Sequence, residues 1–220
     1  MRVAVDIVLF GYVEGDLKLL LIRRKYAPFE NQWAFPGGFV LEDESIDDAV
    51  ARELEEETGV TNAFTEQLYT FGAPKRDPRE RIISVTYYGL IRPELVTLRA
   101  DTDTTDARWF SCKALPALAF DHQAIYDVAL TRLQGKLSYQ PIGFELLPER
   151  FILSDLRELY ETLLGKELDK SNFRRKIMSL DILDELDEKR EMKMSRPATL
   201  YSFNKEKYDK RVSSGFYFEL

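Results

Sequence analysis

Apolar and polar positions fall into short blocks along the first half of the chain. Residues 1–10 and 17–23 are apolar, β-branched runs separated by Glu14, Gly15 and Asp16, so they read as two strands joined by a hairpin turn. Residues 33–40 form a third extended run, and its Pro36-Gly37-Gly38 end punctuates the chain. The period then changes from two to 3.6. Ala49, Val50 and Leu54 make one apolar stripe of a helix that begins at Ser45 as N-cap, runs to Glu57 and has Gly59 just past its end. Residues 64–73, 82–91 and 105–110 return to strand-like patterning, and 121–133 read as a second helix with Ile125, Val128, Ala129 and Leu133 spaced for burial.

Residues 134–148 carry two glycines and two prolines and read as a linker, after which the pattern changes again. A helix starting at Ser154 places Leu156, Leu159, Tyr160 and Leu163 on one stripe and stops at Gly165. A second, starting at Asp169 or Ser171, turns Phe173, Ile177 and Leu180 inward. Residues 182–186 and 199–203 then read as strands bracketing a polar loop, 187–198. Helix, turn, helix and hairpin are the parts of a winged-helix domain. The expected organisation is therefore two domains, 1–138 and 139–220, without internal repeats or low-complexity tracts.

Composition narrows this little: 220 residues with 45% hydrophobic content suffice for a substantial core. No apolar run approaches the roughly 20 residues that span a bilayer, and no secretory signal pattern opens the chain, which predicts a cytoplasmic protein without a membrane partner. The single Cys112 has no internal disulfide partner and reads as a packing residue. Charge is more informative. From Glu149 onward 15 Lys plus Arg face 15 Asp plus Glu, so the net −7 belongs to the first part, and the tail is free to carry a basic face.

Candidate chemistry begins with the predicted first helix. Glu53, Glu56 and Glu57 lie at i, i+3 and i+4, on one helical face, where mutual repulsion costs stability unless a cation sits there. A hard divalent ion suits such oxygens and is commonly shared with substrate phosphates. An acidic, solvated helix face would explain the charges alone, but neither Arg52 nor the WAFPGGFV stretch upstream.

With Gly38, Glu44, Arg52, Glu53, Leu54, Glu56, Glu57, Gly59 and Val60 in these spacings, the segment 38–60 resembles the Nudix hydrolase signature at every fixed position. The resemblance implies an α/β/α sandwich, overall an α+β chain with the small winged-helix domain following. It also implies a Mg²⁺-dependent (or Mn²⁺-dependent) site that cleaves a nucleoside diphosphate derivative. Glu53 and Glu57 are then the primary metal ligands, with Glu56 either a third ligand or the base for the attacking water. Glu44 becomes an outer or additional ligand, Arg52 the partner that holds a helix carboxylate, and the Gly38 carbonyl a further contact to the metal. Residues 71–81 are arginine-rich and resemble the corresponding loop of Nudix ADP-ribose pyrophosphatases, which makes Arg76, Arg79 and Arg81 candidate substrate contacts. Phe35 and Trp33 are candidates for stacking on a base. His122, the only histidine, reads as a structural cap.

In the tail, Asn172, Arg174, Arg175 and Lys176 fall at the start of the second helix of the pair, where a recognition helix meets the major groove. Lys189, Arg190, Lys193 and Arg196 fall in the hairpin, where a wing touches phosphates or the minor groove. Nearly the whole chain resembles the Nudix-related transcriptional regulators of NAD biosynthesis or sugar utilisation. That resemblance implies an ADP-ribose-type ligand, double-stranded operator DNA and a homodimer. Many such proteins have a degraded catalytic box; here it is intact, so hydrolysis is expected as well. The competing expectation is a plain Mg-dependent Nudix pyrophosphohydrolase whose C-terminal domain serves dimerisation or substrate binding.

Overall fold

The computed structural model describes residues 1–61, 63–98, 104–192 and 196–215. These form two compact units, Met1–Arg132 and Leu133–Leu220. Among the described residues no helix is long and apolar enough to cross a membrane.

The first unit is built on a six-stranded mixed sheet. Its strands are β1 (Arg2–Val13), β2 (Asp16–Arg24), β3 (Trp33–Ala34), β4 (Phe64–Phe71), β5 (Ile82–Leu90) and β6 (Thr104–Ser111), in the order β3-β2-β1-β5-β4 with β6 also on β2. β1 and β2 form the expected hairpin, with Val13 opposite Asp16 and Glu14 and Gly15 at positive φ in the turn. β1 also pairs in parallel with β5 from Arg2–Ile82 to Phe10–Leu90, which makes it an interior strand of near-continuous apolar burial.

The third extended run is split. Only Trp33 and Ala34 pair with β2. Residues 36–40 instead lie against β1, where Ile7 N–H donates to the Pro36 carbonyl, Val5 N–H to the Gly38 carbonyl and Val40 N–H to the Val3 carbonyl. A proline has no N–H for a regular ladder, so the segment leaves one neighbour and docks on the next.

Helix α1 (Ile46–Thr58) has the ends its sequence predicts. Ser45 Oγ accepts from Asp48 N–H, Asp48 reaches back to Ser45 N–H, and Gly59 closes the helix at φ 77°. Its Ala49, Val50 and Leu54 pack with Val5, Ile7, Leu9, Leu20, Val85 and Tyr87 of the sheet. Helix α2 (His122–Leu137) runs through the boundary between the two units.

In the second unit α3 (Leu153–Leu164) buries Leu156, Leu159, Tyr160 and Leu163 and ends at Gly165, φ 65°. α4 (Lys170–Ser179) is capped by Asp169 and buries Phe173 and Ile177. The turn between them is pinned by Glu161, which accepts from Arg157 Nη1 at 2.9 Å and from Leu168 N–H at 2.8 Å. β7 (Leu183–Arg190) and β8 (Ala198–Phe203) form the hairpin.

Three further features differ from the sequence reading. The 134–148 linker is structured, since α2 extends to Leu137 and residues 142–146 form a 3₁₀ turn that buries Phe144 and Leu146. β7 reaches Arg190 despite its charged DELDEKR stretch, shortening the hairpin loop. A further helix, α5 (Lys205–Ser213), has no buried residue and hence no apolar stripe to reveal it; Asn204 caps it, and Lys207–Asp184 (2.8 Å) and Arg211–Asp181 (3.0 Å) ion pairs tie it to the start of the hairpin.

Candidate functional site

Two carboxylates of α1, Glu53 and Glu56, and Glu44 just before it converge on Arg52 rather than on empty space. Arg52 grips Glu44 through two bonds of 2.9 and 2.7 Å, and donates to Glu53 (2.8 Å), Glu56 (3.0 Å) and the Phe39 carbonyl (3.1 Å). The Arg52 bonds and the Leu41 N–H draw the Glu44 carboxyl down to about 2. Burial pushes Glu53 up, against the pull of Arg52. Glu57 turns the other way, and its Oε2 accepts from Gly37 N–H at 2.7 Å. Glu56 is the most open of the three, with half its side chain exposed.

Gly38 explains how Glu53 sits so deep. A Cβ there would lie 2.1 Å from Glu53 Oε1 and 2.7 Å from Oε2, so only glycine lets the carboxylate rest against the backbone. Its carbonyl already accepts from Val5 N–H. Among the described residues no three acidic, His or Cys side chains converge tightly enough to hold a metal ion without rearrangement. The donor set nonetheless fits a hard divalent ion: it is all oxygen, and Glu53 is an incompletely hydrated carboxylate whose charge such an ion would stabilise.

Beside this platform is a cavity of about 270 Å³ whose walls include Asp6, Arg24, Tyr26, Phe35, Gly37, Phe39, Glu53, Glu57, Arg76, Asp77, Arg79, Phe120 and His122. Its polar frame is a network drawn from four distant segments. Asp6 accepts from Ser84 Oγ (2.6 Å) and Arg76 Nη2 (3.0 Å) and faces His122 Nε2 at 3.4 Å. Arg76 also makes two bonds to Asp121, at 2.9 and 2.8 Å. Burial alone would raise the Asp6 pKa, but His122, Arg76 and Ser84 outweigh it and hold the carboxyl well below the usual range. His122 Nδ1 accepts from Phe35 N–H at 3.0 Å, which leaves the ring proton on Nε2, toward Asp6.

The predicted substrate contacts therefore have different surroundings. Arg76, 4% exposed at its side chain, is enclosed by carboxylates. Arg79 is paired with Asp77 (3.0 and 2.7 Å) and lies over the Phe39 and Phe120 rings. Arg81 donates to the Gly72 carbonyl, is exposed and does not line the cavity. Phe35 is 2% exposed and stacked 4.8 Å from His122, so its ring is part of the wall. Trp33 packs edge-on against Phe110. The sequence reading passed over Asp6, Arg24, Asp77 and Phe120. A lone acid inside the apolar run of β1 was the one legible signal among them.

In the second unit Asn172, Arg174, Arg175 and Lys176 are all exposed on α4, and Arg175 donates to Asn172 Oδ1 at 2.7 Å. Lys189 and Arg196 are exposed in the hairpin. Arg190 instead binds Asp155 at the start of α3 (2.6 Å). Lys193 lies outside the described residues.

Comparisons with known proteins agree with this division. The family model described as "NUDIX domain" matches residues 1–131, and that described as "NrtR DNA-binding winged helix domain" matches residues 143–203. The chain is 34% identical to the ADPR responsive transcriptional repressor NtrR of Acinetobacter baylyi, over 93% of this chain and 83% of that one. It is 43% identical to the ADP-ribose pyrophosphatase of Methanocaldococcus jannaschii, over 56% of this chain and 69% of the other. The crystal structure of Shewanella oneidensis NrtR complexed with a 27mer DNA superposes with a TM-score of 0.80 at 33% identity, covering 98% of this chain and 97% of that one.

Proposed function

Because the chain belongs to the Nudix family, in the branch that carries the NrtR winged helix, we propose that it is an ADP-ribose-responsive transcriptional repressor acting on operator DNA in the cytoplasm as a homodimer. The observation that carries this reading is the presence, in one chain, of an acid-lined cavity containing three arginines and of a helix pair exposing Asn172, Arg174, Arg175 and Lys176. In this reading α4 enters the major groove, with Lys189, Lys193 and Arg196 on the backbone beside it. A ligand that binds better to the form with weaker operator affinity shifts the equilibrium toward that form, and by linkage operator DNA weakens the ligand.

The Nudix domain and the likeness to an ADP-ribose pyrophosphatase support hydrolase activity, and Nudix hydrolases generally use divalent metals. In the finer reading Glu53, Glu57 and the Gly38 carbonyl, with Glu56 at the edge, would hold Mg²⁺ or Mn²⁺. Such an ion supplies charge neutralisation at phosphate oxygens and a more acidic water. The chain's own contribution is positional. Glu44 and the Phe39 carbonyl fix Arg52, Arg52 fixes Glu53, and Gly37 N–H fixes Glu57. Glu56, the most accessible of Glu53, Glu56 and Glu57, would take a proton from water.

Fluorescence anisotropy with DNA from upstream of the protein's own coding region tests the regulatory reading. Specific binding that ADP-ribose weakens is the expected result; no specific binding with or without ADP-ribose overturns it. A plain pyrophosphohydrolase remains the second reading, favoured by the complete set of acids around Arg52.

A further inference from the structure

Helix α5 lies beyond the residues 143–203 that match the winged-helix model, and it offers the second unit no buried side chain. What it grips is the short joint between α4 and β7. Lys207 Nζ reaches Asp184 at 2.8 Å and Asp181 at 3.7 Å, and Arg211 reaches Asp181 at 3.0 Å. Asn204 ties helix and joint together: its Oδ1 accepts from Lys207 N–H at 2.9 Å, its Nδ2 donates to Asp184 at 2.7 Å, and its backbone N–H donates to the Ile182 carbonyl at 2.8 Å. Phe203, the last residue of β8, has the Tyr208 ring of α5 at 5.9 Å and the Phe144 ring at 4.4 Å.

The joint is unfavourable without α5. Asp181 follows α4 at φ 48°, in the left-handed region that a helix end usually gives to glycine or asparagine, and it sets a carboxylate at the negative end of the helix dipole. Asp184 adds a second acid at the root of the hairpin. Two acids in a unit that meets phosphates oppose its binding, and α5 answers both. The Arg211 bond, then Lys207, lowers the Asp181 carboxyl, and Lys207 with Asn204 lowers that of Asp184. The far part of β7 is tied elsewhere, by Arg190 to Asp155 and by Glu188 to Arg150. What α5 fixes is therefore the stance of α4 relative to the hairpin. Asn172 lies about 13 Å along α4 from Asp181, so a tilt of about 10° at the joint carries it about 2 Å, enough to break a hydrogen bond to a base edge.

We propose that α5 is a functional part of the DNA-reading unit: a clasp on the α4–β7 joint, in which Lys207 and Arg211 are positioning residues that set α4 against the hairpin for operator recognition. The inference rests on the operator-binding reading above and extends the unit that performs it to Ser213. Neither cation needs to touch DNA. The clasp is made of ion pairs whose side chains are between 37% and 61% exposed, so each pair is weak by itself and the effect on affinity is several-fold rather than absolute.

Fluorescence anisotropy of the full chain tests it, with DNA from upstream of its own coding region and with a scrambled duplex of the same length. Asp181→Asn with Asp184→Asn removes both acids, while asparagine suits the φ of 181 and keeps an acceptor for Asn204. This variant is more positive than the wild type, yet it is expected to bind the upstream DNA about three- to tenfold more weakly and the scrambled duplex as well as before or better. Lys207→Glu is expected to weaken the upstream DNA at least as much. Lys207→Glu with Asp184→Lys, which rebuilds the pair with its charges exchanged, is expected to recover most of that loss. If the double Asn variant binds the upstream DNA as tightly as the wild type, or more tightly, the clasp falls while the operator reading stands. An exchanged pair no better than Lys207→Glu has the same consequence. Equal losses on both duplexes in the double Asn variant report damage to the fold rather than to positioning, and they too overturn the clasp. A wild type that does not prefer the upstream DNA to the scrambled duplex brings down the operator reading and the clasp with it.

Discussion

Replacing Arg76 by alanine tests whether the buried network, rather than the ligand, is what this side chain serves. The wild-type guanidinium is 4% exposed and lies between Asp6, 13% exposed, and Asp121, 25% exposed. Removing one partner from a buried pair costs about 3–5 kcal/mol, because charge is left stranded in poorly hydrated surroundings. Asp121 has some access to water and Asp6 keeps Ser84 and His122, so the low end applies, about 3 kcal/mol, or a fall in Tm of roughly 6–12 °C. Both tryptophans, Trp33 and Trp109, belong to the first unit, so urea unfolding followed by tryptophan fluorescence reports on that unit in the full chain. A cycle with Asp121→Asn should give a coupling of about 2 kcal/mol between the two residues. The pH dependence has a definite sign. The folded Asp6 pKa is depressed, so its stabilisation is fully present above the unfolded value of about 4 and is lost as pH falls through the folded value. The gap between wild type and Arg76→Ala should therefore be widest near neutrality and narrow below about pH 4. A loss under 1 kcal/mol at pH 7, unchanged on acidification, would refute the reasoning.

Three further outcomes follow from the geometry. Gly38→Ala must push the Glu53 carboxylate about 1 Å from its place, which should lower Mg²⁺-dependent release of phosphate product from ADP-ribose by about 10²-fold while unfolding stability changes far less; unaltered turnover removes Glu53 from the metal site. Glu56→Gln and Glu57→Gln should each lower the same rate by about 10²-fold or more, and equal rates in mutant and wild type would contradict the assigned chemistry. Arg174→Ala with Arg175→Ala should weaken operator binding and flatten its dependence on salt by about two phosphate contacts, read by anisotropy at several salt concentrations, and leave hydrolysis untouched.

Helix α1 was legible from sequence because everything that makes it is local: the Ser45 cap, the apolar stripe, the Gly59 stop and the carboxylate spacing all fall within 15 residues. The cavity was not, because its frame joins residues far apart. Asp6 meets Arg76 across 70 positions and Arg76 meets Asp121 across 45. A basic side chain in a sequence says nothing of the acid waiting for it, which is why Arg76 reads as a phosphate donor and Arg190 as a wing contact until Asp121 and Asp155 are seen opposite them. Aromatics mislead in the same way: Phe35 carries the composition of a stacking platform, yet the His122 ring already covers one of its faces. α5 escaped detection for the opposite reason, since ion pairs rather than apolar periodicity hold it.

Arg52 gives the acidic helix a resident positive charge. A helix whose clustered carboxylates lacked such a partner would depend on a bound ion to offset their repulsion. With a guanidinium already compensating Glu44, Glu53 and Glu56, the acidic face is held in place by the chain itself. Under the proposed function, holding a nucleotide and cleaving it would then be separable, because the residues that shape the cavity do not wait for the ion.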